Sequence, residues 1–229
     1  KFNKINILCN VNHPGKIYIK KNIPKKINLI FYKGLTREEI NNKLLKYFKL
    51  KILCKIIYFI FCFFYQYKNL RKMLVNLDSN NLFVITGGYP GGDIGLLSII
   101  IWGLIKKKPK IWLNFHNNAV SYSQNILISV REKIIDHFVR KFVNKFISVS
   151  NSSALSLENR NKRFNGRNIS YIYNGIEKIN PLSTINLRNK YKFNKNSRII
   201  LLLANYEKRK GHEFALQIMK YLNNIDSNI

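Results

Sequence analysis

The chain has 229 residues, 46% of them hydrophobic, which suffices for one large core or two modest ones, and neither its Pro and Gly content nor its charged fraction points to disorder. Forty Lys+Arg against 11 Asp+Glu give a formal charge of +29, which raises nucleic acid and anionic membrane as partners. Lys, Asn and Ile are abundant in loops and strands alike and share A/T-rich codons, so base-composition drift ranks ahead of nucleic-acid binding as the origin of the charge.

Residues 5–11 and 27–32 are short β-rich runs, separated by His13-Pro14-Gly15 and Pro24, and both read as strands. Thr36 with Glu39 three residues on has the form of a capping box, opening a helix that continues in apolar periodicity through Leu44, Leu45 and Phe48. Residues 52–67 are dense in Ile, Phe, Tyr and Cys and interrupted by Lys55. The unbroken apolar part, residues 56–65, is about half of what a spanning helix needs. Two readings stand: a helix packed into the core, or a basic, aromatic-rich helix whose outer face dips into the headgroup layer of a membrane.

Residues 82–86 form the next strand, and it runs into Gly87-Gly88-Tyr89-Pro90-Gly91-Gly92. Such glycine density at a strand end lets backbone pass close to a ligand, or simply makes a tight strand-to-helix turn. Asp93 is expected to cap the apolar helix over 94–105, which Lys106, Lys107 and Lys108 close at its negative end. No G-x-G-x-x-G occurs, so no dinucleotide site is expected. Residues 110–117 make a strand with His116 at its C-terminal end, the edge that faces the ligand crevice in an open parallel sheet. The alternative is a histidine that merely bonds a loop carbonyl. A helix over 126–144 follows, with Ile134, Ile135, Phe138, Phe142 and Val143 on one stripe. Residues 146–149 return as a strand, Ser150 caps a helix over 152–161, and residues 171–177 form a strand-to-turn junction. Strand and helix alternate throughout 82–175, with helices long enough to cross over, so a parallel α/β sheet is the economical solution.

Residues 178–197 are polar and read as a segment between lobes; residues 198–204 then begin a second strand–helix unit. The basic bend at 207–212 combines exposed backbone N–H groups, a helix N-terminus, Arg209 and Lys210 with a turn that Gly211 permits, the makings of a phosphate pocket. Domains are therefore expected at 1–177 and 198–229, with 178–197 as the linker.

Cys9, Cys54 and Cys62 lack C-x-x-C spacing and lie among apolar neighbours, so they read as buried reduced thiols of a cytosolic protein. His13, His116, His137 and His212 are scattered and no H-E-x-x-H occurs, so no metal site is expected. No signal peptide is visible. The chain opens at Lys1 almost directly on a strand and stops just after a helix, so both ends are expected to be cut.

In order and spacing, Gly87-Gly-Tyr-Pro-Gly-Gly92, Phe115-His116-Asn117, residues 146–150, 172–176 and 204–212 together resemble the GT-B glycosyltransferases of family 4 type. Many members of that group build lipopolysaccharide, capsule or O-antigen in bacteria. The resemblance covers about residues 82–222. It implies two Rossmann-like lobes closing over a nucleotide-diphosphate sugar, transfer with retention of configuration to a glycan or lipid-linked, membrane-associated acceptor, and no cofactor or obligatory metal. It places the protein in the cytoplasm, or peripherally on the cytoplasmic face of the inner membrane. The family's nucleotide-side lysine falls on Lys210. Its usual arginine falls on Asn205, leaving that role vacant or passing it to Arg209, with Gly211 shaping the bend. The family's histidine near the transferred sugar falls on His116. Gly87, Gly88, Tyr89, Gly91, Gly92, Asn117, Ser150, Asn174 and Gly175 fall on the acceptor side of the cleft. The family's paired-Glu motif has no counterpart before Ile229, so the chain is expected to be the acceptor lobe with the start of a second, inactive alone. Two other readings stand beside it: a noncatalytic GT-B-like remnant or subunit, and a basic nucleic-acid binder. No RRM, KH, HTH or zinc signature supports the latter.

Overall fold

The structure, a computed structural model, describes residues 5–12, 15–34, 52–176, 187–196 and 198–225. The capping-box helix expected from Thr36 lies outside the described residues. The chain divides into two compact units, Lys1–Gly175 and Ile176–Ile229.

The first unit is α/β, with every described strand pairing parallel. β1 (Ile5–Asn10) and β2 (Ile27–Tyr32) pair in register from Ile5 opposite Ile27, joined by α1 (Lys16–Asn22). That helix was not legible: Pro14 and Pro24 crowd a seven-residue segment rich in Ile and Lys, and no residue of it is buried. After α2 (Ile52–Val75) comes a four-stranded sheet in sequential order. Its strands are β3 (Asn81–Thr86), β4 (Lys110–Phe115), β5 (Lys145–Ser148) and β6 (Ile169–Tyr171). The crossovers are α3 (Asp93–Ile105), α4 (Ile126–Phe142) and α5 (Asn151–Arg160). Parallel neighbours require such crossovers, since no tight turn returns the chain to the starting edge.

One face of this sheet meets the helices. Val84, Ile111, Leu113, Phe115 and Phe146 point into a core completed by Leu96, Ile99, Trp102, Val139, Leu157 and Phe164. The alternation in β4, with Ile111, Leu113 and Phe115 buried and Lys110 exposed, is the two-residue period of a strand covered on one side. α2 packs on α3, α3 on α4, and α3 also on β3. Gly103 of α3 makes the contact with α4 close, because a Cβ there would lie 2.3 Å from Cγ of Phe142. Trp102 donates through Nε1 to the Asn80 carbonyl at 3.1 Å, tying α3 to the start of β3.

Beyond shifts of one or two residues at the ends of β4, β5 and α4, three features differ from expectation. Asp93 is not the cap of α3: Gly92 holds that position with φ +71°, and Asp93 is free to pair with Arg131 at 2.7 Å. The buried stripe of α4 is centred on Asp136 and Val139, which leaves Ile134 on the outside, because the acid is drawn inward by an arginine from α5. β6 ends at Tyr171, and residues 172–176 are exposed and unpaired as strand, although Ile172 still donates its N–H to the Ser148 carbonyl at 2.9 Å.

In the second unit the expected strand over 198–204 is not formed. A strand exists by pairing, and among the described residues of this unit no other extended segment lies beside it; Leu203 is 89% exposed. The polar segment before it carries a short helix, α6 (Leu187–Tyr191), and a single 3-10 turn over Lys208–Lys210 precedes α7 (His212–Ile225).

Candidate functional site

All four strands of the larger sheet end on one edge, so the chain leaving Thr86, Phe115, Ser148 and Tyr171 emerges together. The exits after β3 and β4 are laced to each other. The His116 N–H donates to the Thr86 carbonyl at 3.1 Å, the Asn117 Nδ2 amide donates to the Gly87 carbonyl, and Val120 N–H donates to the Tyr89 carbonyl at 2.9 Å. Tyr89 and Ala119 form a parallel bridge, and the Ala119 N–H reaches the Ser156 hydroxyl of α5 at 2.7 Å. His116 and Asn117 are exposed at this edge, as are Gly87 and Gly92. Sterically, the turn needs its glycines at Gly91, where a Cβ would sit 2.6 Å from the Gly88 oxygen, and at Gly92, whose φ is left-handed. At Gly87 a Cβ would meet nothing within 4 Å, so the lip of the turn faces open space. The Tyr89–Pro90 bond is cis.

Tyr89 does not line this edge; it is 2% exposed and points beneath it. There its hydroxyl donates to Asp136 Oδ1 at 2.7 Å, while the Tyr122 hydroxyl donates to Oδ2 of the same carboxylate at 2.7 Å. Arg160, at the end of α5, donates through Nε to Asp136 at 3.1 Å and through a terminal nitrogen to Glu132 at 3.2 Å. Its other terminal nitrogen donates to the Val120 carbonyl. The buried guanidinium lies 4.3 Å from the centre of the Tyr122 ring, a cation–π contact. Burial first, and then the Asp136 charge and hydrogen bond, push the Tyr89 hydroxyl well above its ordinary 10. Burial and the bond to Asp136 push Tyr122 up to about 12. Both phenols are therefore donors, and the carboxylate accepts from three groups on three segments of chain. The network clamps the glycine turn and the His116–Tyr122 loop onto α4 and α5. Its sequence signal was an acid inside an apolar stripe, Ile135, Asp136 and Val139, where a buried charge demands a partner.

Ser150 stands at the same edge after β5 and caps α5, accepting from the Ser153 N–H at 3.1 Å. Asn174 and Gly175 are exposed after β6. A hollow of about 280 Å³ opens between the end of β2, the side of α2 and the start of α3. Tyr32, Lys33, Gly34 and Ile94 line it; His116 and the glycine turn do not. Burial raises the Tyr32 hydroxyl above its ordinary value there.

In the second unit, Lys210 and Asn205 are exposed, and Gly211 ends the 3-10 turn with φ +72°. The Ala215 N–H closes onto the Gly211 carbonyl at 2.8 Å, so α7 starts immediately after the basic triplet, and His212 rests against the Tyr206 ring at 5.1 Å. Arg209 belongs to the same turn. The bend thus has the loop-to-helix form expected of it, without the preceding strand. Among the described residues no three His, Cys, Asp or Glu side chains gather as a metal site, and no helix is long and apolar enough to cross a membrane. Cys9 is a buried free thiol.

Comparison of the chain with protein-family models, with curated proteins and with solved structures finds no match.

Proposed function

We propose that the chain belongs to a glycosyltransferase of GT-B type, moving a sugar from a nucleotide-diphosphate donor to a glycan or lipid-linked acceptor at a membrane, with retention and without a resident metal. The observation that carries the reading is the edge of the parallel sheet. There His116, Asn117, Gly87 and Gly92 stand exposed together, joined by the Asn117–Gly87 hydrogen bond and held from below by Asp136 and Arg160. Ligands of open α/β sheets bind outside the carboxyl ends of the strands, and an imidazole beside a carboxamide is suited to hydroxyl-rich ligands.

The transfer needs negative charge on the departing diphosphate to be met by cations and helix N–H groups. Lys210, Arg209 and the start of α7 supply that chemistry in the second unit, with Asn205 in the place of an arginine. His116 orients a sugar hydroxyl or steadies the cationic sugar carbon through its carbonyl, rather than acting as a strong base.

The two roles separate kinetically in any polypeptide that contains this chain and turns over a nucleotide sugar. His116→Ala lowers kcat and leaves donor affinity unchanged; Lys210→Ala weakens donor use by about 1.5–3 kcal/mol, the worth of a charge-assisted hydrogen bond. Unaltered kcat in the histidine variant would remove the sheet edge from the reaction.

A further inference from the structure

We propose that the outer face of the α2–α3–α4 layer is a docking surface for an anionic lipid bilayer. The inference does not depend on sugar transfer. It begins from apolar side chains that the fold leaves in water. On α2, Phe64, Lys68, Arg71 and Val75 follow one another at spacings of four, three and four along one exposed side, the repeat of a helix face. On α4, Leu127, Val130, Ile134 and Lys141, at spacings of three, four and seven, likewise share one exposed side. Phe64 is 63% exposed, Leu127 64%, Ile134 53%, and Leu104 on α3 between them 57%. These are large side chains on three adjacent helices, not scattered single exposures.

Between the helices runs a trough floored by Leu97 and Ile100, walled by Phe63 and Ile135, and closed at one end by the Asp93–Arg131 ion pair. Its cavity volume of about 40 Å³ is far below the several hundred that a small-molecule site encloses. It seats the end of an acyl chain or a methyl group, so the face is a surface to lie on and not a pocket to fill.

Charge chooses the occupant. α2 from Phe63 to Val75 has Lys68, Arg71 and Lys72 exposed and no acid at all. The three acids of α3 and α4, Asp93, Glu132 and Asp136, are each committed to an arginine. Lys133 and Lys141 stand exposed on the outer side of α4. A second copy of the chain would bring the same cations face to face, which repels. An anionic headgroup layer neutralises them while the aromatic and aliphatic tips enter the acyl boundary. No crossing of the bilayer is involved: the face lies in the interface plane.

Flotation of the intact chain with vesicles tests this, using phosphatidylcholine alone and phosphatidylcholine mixed with phosphatidylglycerol, without nucleotide. The expected result is flotation with the anionic vesicles only, weakening as salt rises. The triple variant Phe64→Ser/Leu127→Ser/Ile134→Ser should lose on the order of tenfold in vesicle affinity. Lys68→Glu/Arg71→Glu should also lose flotation; because it leaves every apolar side chain in place, it keeps the test decisive should the triple variant misfold. Equal flotation of wild type and a folded triple variant would reduce the effect to general basicity and overturn the proposal. So would a wild-type dimer in sedimentation velocity that the triple variant abolishes, since a second copy would then own the face.

Discussion

Replacing Arg160 by Met removes the centre of the clamp beneath the sheet edge while keeping most of its volume. The guanidinium is fully buried and Asp136 is 1% exposed. Three donor contacts disappear together: to Asp136, to Glu132 and to the Val120 carbonyl. Breaking a buried ion pair from one side costs about 3–5 kcal/mol, because the remaining charge has no counterion. Asp136 keeps the hydroxyls of Tyr89 and Tyr122, both at 2.7 Å, and Glu132, at 14% exposure, regains some water. The loss should therefore sit near the lower bound, about 3 kcal/mol. Urea unfolding followed by tryptophan fluorescence measures it cleanly. The two tryptophans, Trp102 and Trp112, both belong to the first unit, so the second contributes no tryptophan signal. Adding Asp136→Asn to Arg160→Met removes the orphaned charge and should return on the order of 1 kcal/mol. A loss under about 1 kcal/mol in the single variant, or a double variant worse by the full sum, would show that the pair does not act as one buried unit.

Gly103→Ala should destabilise the first unit by about 1–3 kcal/mol, because the added methyl overlaps the Phe142 ring and forces α3 and α4 apart; an unchanged urea midpoint would show that the ring moves aside freely. The clamp also sets an alkaline limit. Tyr122 ionises near 12 and Tyr89 higher than usual in the folded chain, whereas both ionise near 10 when unfolded, so the unfolded state loses its protons first. The stabilisation is fully present below pH 10 and falls between 10 and about 12. A urea midpoint that stays flat through that window contradicts it.

Much of the first unit was readable because its elements are long and periodic. Residues 82–86, 110–117 and 126–144 announce a strand or a helix by their own spacing, and their alternation dictates a parallel sheet. His116 was legible as an edge residue for the same reason: its place follows from chain direction alone. What escaped depends on pairs distant in sequence. Arg160 and Asp136 stand 24 residues apart, and Tyr89 lies 47 from the acid it binds. Nothing local distinguishes that tyrosine from a residue facing a ligand. The helix over Lys16–Asn22 was hidden by β-branched isoleucines between two prolines, where local preference points to extended chain. The run at 198–204 failed in the opposite sense: its apolar pattern is that of a buried strand, but pattern alone supplies no neighbour to pair with.

The claim on which the functional account turns is that the bend ending at Gly211 holds a diphosphate. Amide resonances of the chain during titration with a nucleoside diphosphate at physiological salt read this out directly. Saturable shifts concentrated on Lys210, Gly211, His212 and Glu213, and abolished by Lys210→Ala, are expected. Shifts spread evenly over surface lysines, and erased by moderate salt, would contradict it.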